Sequence, residues 1–206
     1  MDSGSSIANI FDTPNPGQEE TAAEYHVQRQ SDANVERAIK SRIREIHDYP
    51  RPGVVFRDIS PLLEDGEVFP MAVRELAGRI SHMQFDRIVG IEARGFVIGS
   101  ALAFHTGKGF IMARKKGKLP FKTVSIGYEL EYGPEAMEMH VDSIAGGTRV
   151  LIVDDLLATG GTAKAAADLV GELGGTVAGF AFMIELRELG GRGSLEGYDV
   201  ECLIEY

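Results

Sequence analysis

The run Val150-Leu151-Ile152-Val153-Asp154-Asp155-Leu156-Leu157-Ala158-Thr159-Gly160-Gly161-Thr162 constrains the fold more than any other segment. Its first four residues, three β-branched and one leucine, read as a strand buried on both faces. Two adjacent carboxylates end that strand, a loop of small residues follows, and Thr162 stands where it would cap a helix beginning near Ala163. Loop amides and a helix N-terminus together hold a phosphate dianion. Gly160 and Gly161 let the backbone approach it closely. Asp154 and Asp155 accept hydrogen bonds and suit sugar hydroxyls. The segment therefore reads as a sugar-phosphate site. It is not a Gly-x-x-x-x-Gly-Lys-Ser/Thr phosphate loop, and no Gly-x-Gly-x-x-Gly dinucleotide fingerprint follows a strand.

The alternation of strands and helices elsewhere predicts an α/β domain with a mainly parallel central sheet flanked by helices. Expected strands are Arg87–Ile91, Gly109–Ala113, Thr176–Ile184 and Asp199–Ile204. Expected helices are Met71–Ile80, Phe96–Phe104 and Ala163–Glu172. Val35, Ile39, Ile43 and Ile46 fall at helical spacing and predict a further helix ended by Tyr49-Pro50-Arg51-Pro52-Gly53. Phe121–His140 fits no element and reads as a flexible active-site lid.

The domain is expected over residues 34–206. Residues 1–33 carry six acids against one base, half of the net charge of −10, and read as a disordered acidic extension. That net charge argues against nucleic acid and anionic membrane as partners. No apolar run is long enough to span a membrane and no secretory signal is seen, so the cytoplasm is expected. The single cysteine, Cys202, excludes an intrachain disulfide and falls in an apolar strand pattern.

In so acidic a chain, cationic clusters carry information. Arg94 in Glu92-Ala93-Arg94-Gly95 follows a strand and suits a diphosphate, although alone it reads better as an exposed arginine in a tight turn. Arg114-Lys115-Lys116-Gly117-Lys118 is the densest cationic run and follows another strand. Neutralising a leaving diphosphate is its expected use.

Read together with Pro52-Gly53-Val54-Val55-Phe56-Arg57-Asp58-Ile59-Ser60 and Tyr128-Glu129-Leu130-Glu131-Tyr132-Gly133, these blocks resemble, in order, the adenine enzymes of the type I phosphoribosyltransferase family. The resemblance covers about Val35 to Tyr206. It implies the type I phosphoribosyltransferase fold and the reaction of adenine with phosphoribosyl diphosphate (PRPP) to give AMP and diphosphate. Another purine phosphoribosyltransferase, or a non-catalytic PRPP-binding regulator, is the alternative. A regulator would add a DNA-binding domain and a basic face, whereas the added segment here is short and acidic.

By resemblance, Val55, Phe56 and Arg57 form the base pocket, with Phe56 stacked on the purine. Arg94, Lys115 and Lys118 bind the diphosphate, with Arg114 nearby. Asp154 and Asp155 take the ribose hydroxyls, and Ala158, Thr159, Gly160, Gly161 and Thr162 take the 5′-phosphate. Glu131 serves as general acid/base with Tyr132 beside it; spacing alone does not separate Glu131 from Glu129 and Glu135. Mg²⁺ rides on PRPP, held mainly by substrate oxygens and water and by no protein residue directly. A homodimer is the expected assembly.

Overall fold

The computed structural model describes residues 33–130 and 133–206. The extension expected over residues 1–33 lies outside the described residues, apart from Ala33. Residues 33–40 are helical (α1). An antiparallel hairpin follows, β1 (Arg44–His47) and β2 (Val55–Asp58), with Ile46 opposite Phe56. Next come α2 (Ser60–Glu64) and α3 (Val68–Arg79). The rest of the chain is β3 (Arg87–Ile91), α4 (Arg94–Thr106), β4 (Gly109–Lys115), β5 (Thr123–Leu130), β6 (Gly133–His140), β7 (Arg149–Leu157), α5 (Gly161–Glu172), β8 (Thr176–Glu185) and β9 (Val200–Glu205).

These last strands form one seven-stranded sheet in the order β5-β6-β4-β3-β7-β8-β9. From β4 to β9 every neighbouring pair is parallel, and β6 runs antiparallel to both β4 and β5. The expected mainly parallel sheet flanked by helices is therefore present. Strand side chains alternate between faces. Ile88, Leu151, Val153, Ala181 and Met183 pack with α3 and α4, while Val89, Val150, Ile152, Phe180 and Phe182 pack with α5. Burial on both faces is why Val150–Val153 reads as an unbroken apolar run. Each such side chain contributes roughly 1.5–3 kcal/mol on burial.

Strand order places the site. From the central pair, β3 leads through α4 to β4 on one side, and β7 leads through α5 to β8 on the other. The helices cover opposite faces. The crevice between the carboxyl ends of β3 and β7 is thus the point where winding reverses, and open α/β sheets bind ligands there.

Several expectations are corrected. β7 does not end at the acidic pair: β8 pairs with it as far as Leu157, so the carboxylates lie within the strand. Thr162 is not the cap of α5. Gly160 occupies that position and Thr162 sits in the first helical turn. The helix expected through Ile46 stops at residue 40, and Ile46 belongs to β1. Val35, Ile39 and Ile43 still reach one core cluster, so apolar spacing outlasts the helix that began it.

Phe121–His140 is not without regular structure. Most of it is the β5–β6 hairpin, registered from Thr123 opposite His140 to Leu130 opposite Gly133. Val124, Ile126 and Tyr128 pack against the α5-side core, and Met137 and Met139 are buried. Gly127, Pro134 and three glutamates interrupt the alternation that would have announced these strands. The residues joining them, 131–132, lie outside the described residues.

Candidate active site

The loop between β7 and α5 is set by backbone geometry. Gly160 adopts φ 83°, in the left-handed region. A side chain there costs about 1–2 kcal/mol from backbone strain. A Cβ on Gly160 would also stand 2.6 Å from the Gly191 carbonyl oxygen and 2.8 Å from the Ser194 Cβ. Ser194 Oγ donates to the Thr159 carbonyl oxygen at 2.8 Å. The short 3₁₀ turn Gly191–Leu195 thus braces residues 158–160. No side chain caps α5, so its first-turn amides, Gly161 and Thr162 among them, have no side-chain acceptor and suit an anion.

α4 supplies a second such terminus. It begins at Arg94, also without a side-chain cap. A Cβ on Gly95 would stand 2.7 Å from the Val153 carbonyl oxygen and 2.8 Å from Asp154 Oδ1, so glycine is what lets α4 start this close to β7. Two helix N-termini, each equivalent to about half a positive charge, therefore flank one crevice.

The acidic pair lies against them. Arg94 Nε meets Asp155 Oδ2 at 2.6 Å, and Asp154 Oδ1 accepts the Asp155 amide at 2.9 Å. Burial pushes both carboxyls above the usual range; the Asp155 charge raises Asp154 further, while Arg94 opposes the rise at Asp155. Ligand hydroxyls that donate to these oxygens favour the charged forms and relieve that cost.

At the end of neighbouring β4, Arg114 is committed to the protein. Its Nη2 and Nε donate to Glu92 at 2.9 and 3.3 Å, and its Nη1 donates to the Lys118 carbonyl at 3.0 Å. The Arg114 bond is the main reason the Glu92 carboxyl lies below its ordinary range. The geometry thus engages Arg114 as a brace of the cationic turn. Lys115 Nζ pairs with Glu135 at 2.9 Å, and the Tyr128 hydroxyl donates to the same carboxylate at 3.3 Å. Among the described residues Lys118 forms no ion pair through its ammonium group.

The β1–β2 hairpin brings Phe56 to the crevice. The Arg94 guanidinium lies 5.1 Å from the Phe56 ring centre, and Tyr49 meets the ring edge-on at 5.3 Å. Val55 is half-buried beside it. The Arg57 side chain takes another course: it stacks 3.9 Å over the Tyr206 ring and pairs with Glu45. Its backbone, not its guanidinium, is what remains for reading a base.

Comparison with known proteins agrees with this geometry. Residues 62–205 match the family model of the phosphoribosyl transferase domain. The adenine phosphoribosyltransferase of Rubrobacter xylanophilus is 56% identical over 169 residues, covering 82% of this chain and 91% of its own. A crystal structure of the Thermoanaerobacter pseudethanolicus adenine phosphoribosyltransferase superposes with a TM-score of 0.81 at 48% identity, covering 83% of this chain and 99% of its own. The Saccharomyces cerevisiae enzyme, solved with an imino-altritol bisphosphate and adenine, gives a TM-score of 0.78 at 35% identity over 83% of this chain and 99% of its own. The chain belongs to the adenine phosphoribosyltransferase family.

For a chain of this family, the structure gathers Phe56, Arg94, Asp154, Asp155 and residues 158–162 at the β3/β7 crevice, with Lys115 and Lys118 at the end of adjacent β4. Glu131 and Tyr132 lie outside the described residues. Sequence reasoning missed Glu92, Glu138, Ser194 and Tyr206, which hold the site without resembling ligands. Glu138 stands between Met137 and Met139, but Glu135 and His140 in the same short stretch mask that pattern.

Proposed function

We propose that the chain transfers the 5-phosphoribosyl group of PRPP to adenine, releasing AMP and diphosphate. The observation that carries this reading is the convergence of two uncapped helix N-termini on a buried acidic pair at one switch point. A ligand for such a crevice needs anionic groups for the helix ends and hydroxyls for the carboxylates. The α5 terminus and residues 158–162 take the 5′-phosphate, Asp154 and Asp155 the ribose hydroxyls, and Arg94, Lys115 and Lys118 the diphosphate. Arg94 shifts only within its Asp155 pair to do so. Phe56 stacks on the purine, and backbone groups of Val55 and Arg57 read its edge.

As the C1′–O bond breaks, positive charge grows on the ribose and negative charge on the diphosphate. The lysines and the α4 dipole stabilise the second. Glu131 accepts the purine proton, with Tyr132 beside it, when it stands within hydrogen-bond reach. Mg²⁺ enters this reading as a substrate-borne ion, held mainly by PRPP oxygens and water. Carried by PRPP, it would neutralise leaving-group charge.

A homodimer is part of the reading. Val97 and Phe104, seven residues apart on α4, are exposed, Phe104 at 92%, and a second copy would cover them. Cytoplasmic work suits a chain whose Cys202 is an unpaired buried thiol and whose described helices include none long and apolar enough to cross a membrane.

The test is product formation from adenine, PRPP and Mg²⁺. AMP and diphosphate should appear in equal amounts. Hypoxanthine and guanine should be used about 10⁴-fold less efficiently, because each leaves a buried hydrogen-bonding partner unpaired. Equal efficiency with hypoxanthine would overturn the base assignment. No nucleotide from any base would overturn phosphoribosyl transfer itself.

A further inference from the structure

Glu138 lies in β6 between Met137 and Met139 and is only 4% exposed. A buried charge is tolerated only when its oxygens are satisfied. Here Oε1 accepts the amides of Lys118 and Leu119, each at 2.9 Å, and Oε2 accepts the Thr123 hydroxyl at 3.1 Å. Burial pushes the carboxyl up, but bonds from backbone amides, Leu119 first, and from Thr123 outweigh it and leave the group below its ordinary range. The carboxylate is therefore charged at neutral pH. Among the described residues it forms no ion pair with a lysine or arginine; its partners are one turn of backbone and one hydroxyl.

That turn is the cationic one. Its first end is held by Glu92, which accepts the Lys115 amide at 3.0 Å and the Arg114 side chain. Its far end is held by Glu138. Arg114 ties the two ends by donating to the Lys118 carbonyl. Lys116 and Lys118 repel one another across the turn, and the turn's own closing bond, from the Lys118 amide to the Lys115 carbonyl, is long at 3.2 Å. Gly117, at φ 83°, adds no side-chain restraint.

We propose that Glu138 is a positioning residue for the leaving diphosphate. Its carboxylate touches no substrate; it fixes the Lys118–Leu119 backbone so that the Lys118 ammonium is held at the carboxyl end of β4, beside the crevice. This rests on the phosphoribosyl-transfer reading above. A fixed cation stabilises charge that develops on the leaving group, whereas a wandering one must first be ordered. Glu138 acts on the diphosphate end of PRPP and leaves the base hairpin alone.

The test compares Glu138→Ala, Glu138→Gln and Glu138→Asp with the native full-length chain. It uses steady-state kinetics for each substrate and direct calorimetric titration with Mg²⁺-diphosphate. Glu138→Ala should raise the PRPP KM and the diphosphate Kd at least tenfold and leave the adenine KM within twofold. Glu138→Gln keeps an oxygen for both amides, and the Thr123 hydroxyl can turn to accept from its NH₂, so it should stay within threefold of native. A merely structural role would lower thermal stability and shift both substrates alike, with no rescue by glutamine. Folded Glu138→Ala with PRPP KM and diphosphate Kd within twofold of native overturns the proposal. If the alanine variant fails to fold, Glu138→Asp decides. Its shortened reach should weaken diphosphate binding at least fivefold, and a change under twofold overturns the proposal. A native chain that binds diphosphate but makes no AMP removes the transfer reading while the titration still judges Glu138. A native chain that binds no diphosphate removes both.

Discussion

Replacing Gly160 with alanine should damage stability and PRPP binding together. The left-handed φ of 83° accounts for about 1–2 kcal/mol of the cost. The added Cβ would lie 2.6 Å from the Gly191 carbonyl oxygen and 2.8 Å from Ser194 Cβ, neither of which is the far end of a flexible side chain. Overpacking of this kind adds about 1–3 kcal/mol. The total, about 3 kcal/mol, corresponds to a fall in Tm of about 6–12 °C for a chain of this size. Relief requires the 158–160 loop to move by several tenths of an ångström, away from the 3₁₀ turn that braces it. The PRPP KM should rise at least tenfold, since small displacements of a binding group are costly in rate. Gly107→Ala is the control. Gly107 has φ 66° and an added Cβ there would meet nothing within 4 Å, so it bears the backbone cost alone. It should lose about 1–2 kcal/mol and keep its PRPP KM. Equal Tm values for the two variants, measured by calorimetry, with an unchanged PRPP KM for Gly160→Ala, would refute the bracing argument.

Glu131→Gln should lower turnover far more than substrate affinity, because a base acts in the transition state; equal single-turnover rates would remove Glu131 from the mechanism. The Asp86 carboxyl is held at about 2 by hydrogen bonds from Arg149, below its unfolded value near 3.9. Its stabilising effect is therefore present above about pH 4 and lost as pH falls towards about 2. Native Tm should drop more steeply across that interval than that of Asp86→Asn, and parallel profiles would contradict this. Burial pushes the Cys202 thiol up to about 12, so a disulfide reagent at pH 8 should label it only after unfolding; rapid labelling of the native chain would show the strand to be open.

Most of the sheet was legible because parallel strands buried on both faces leave continuous apolar runs, as Val150–Val153 does. The ligand loop was legible because its chemistry is local: carboxylates, glycines and a helix start lie within thirteen consecutive residues. The β5–β6 hairpin was not legible. Its inward Val124, Ile126, Met137 and Met139 alternate with glycine, proline and glutamate, a pattern that also describes a loop. The end of β7 was misplaced because charge ordinarily terminates a buried strand, whereas here Arg94 and the α4 terminus let Asp155 remain inside it. The bracing role of Arg114 was not legible because sequence shows a cation without its partner; Glu92 is 22 residues away along the chain. Ser194 lies 35 residues from the Thr159 carbonyl it supports, a separation that no local pattern records.

The central claim is that the β3/β7 crevice binds PRPP through the acidic pair. The direct measurement is calorimetric titration of Mg²⁺-PRPP into the native chain and into Asp154→Asn/Asp155→Asn, with folding checked by circular dichroism. Each charge-assisted hydrogen bond lost is worth roughly 1.5–3 kcal/mol, so removing the pair's charge should weaken binding by about 100-fold or more. A folded double variant that binds PRPP within threefold of the native chain would contradict the account.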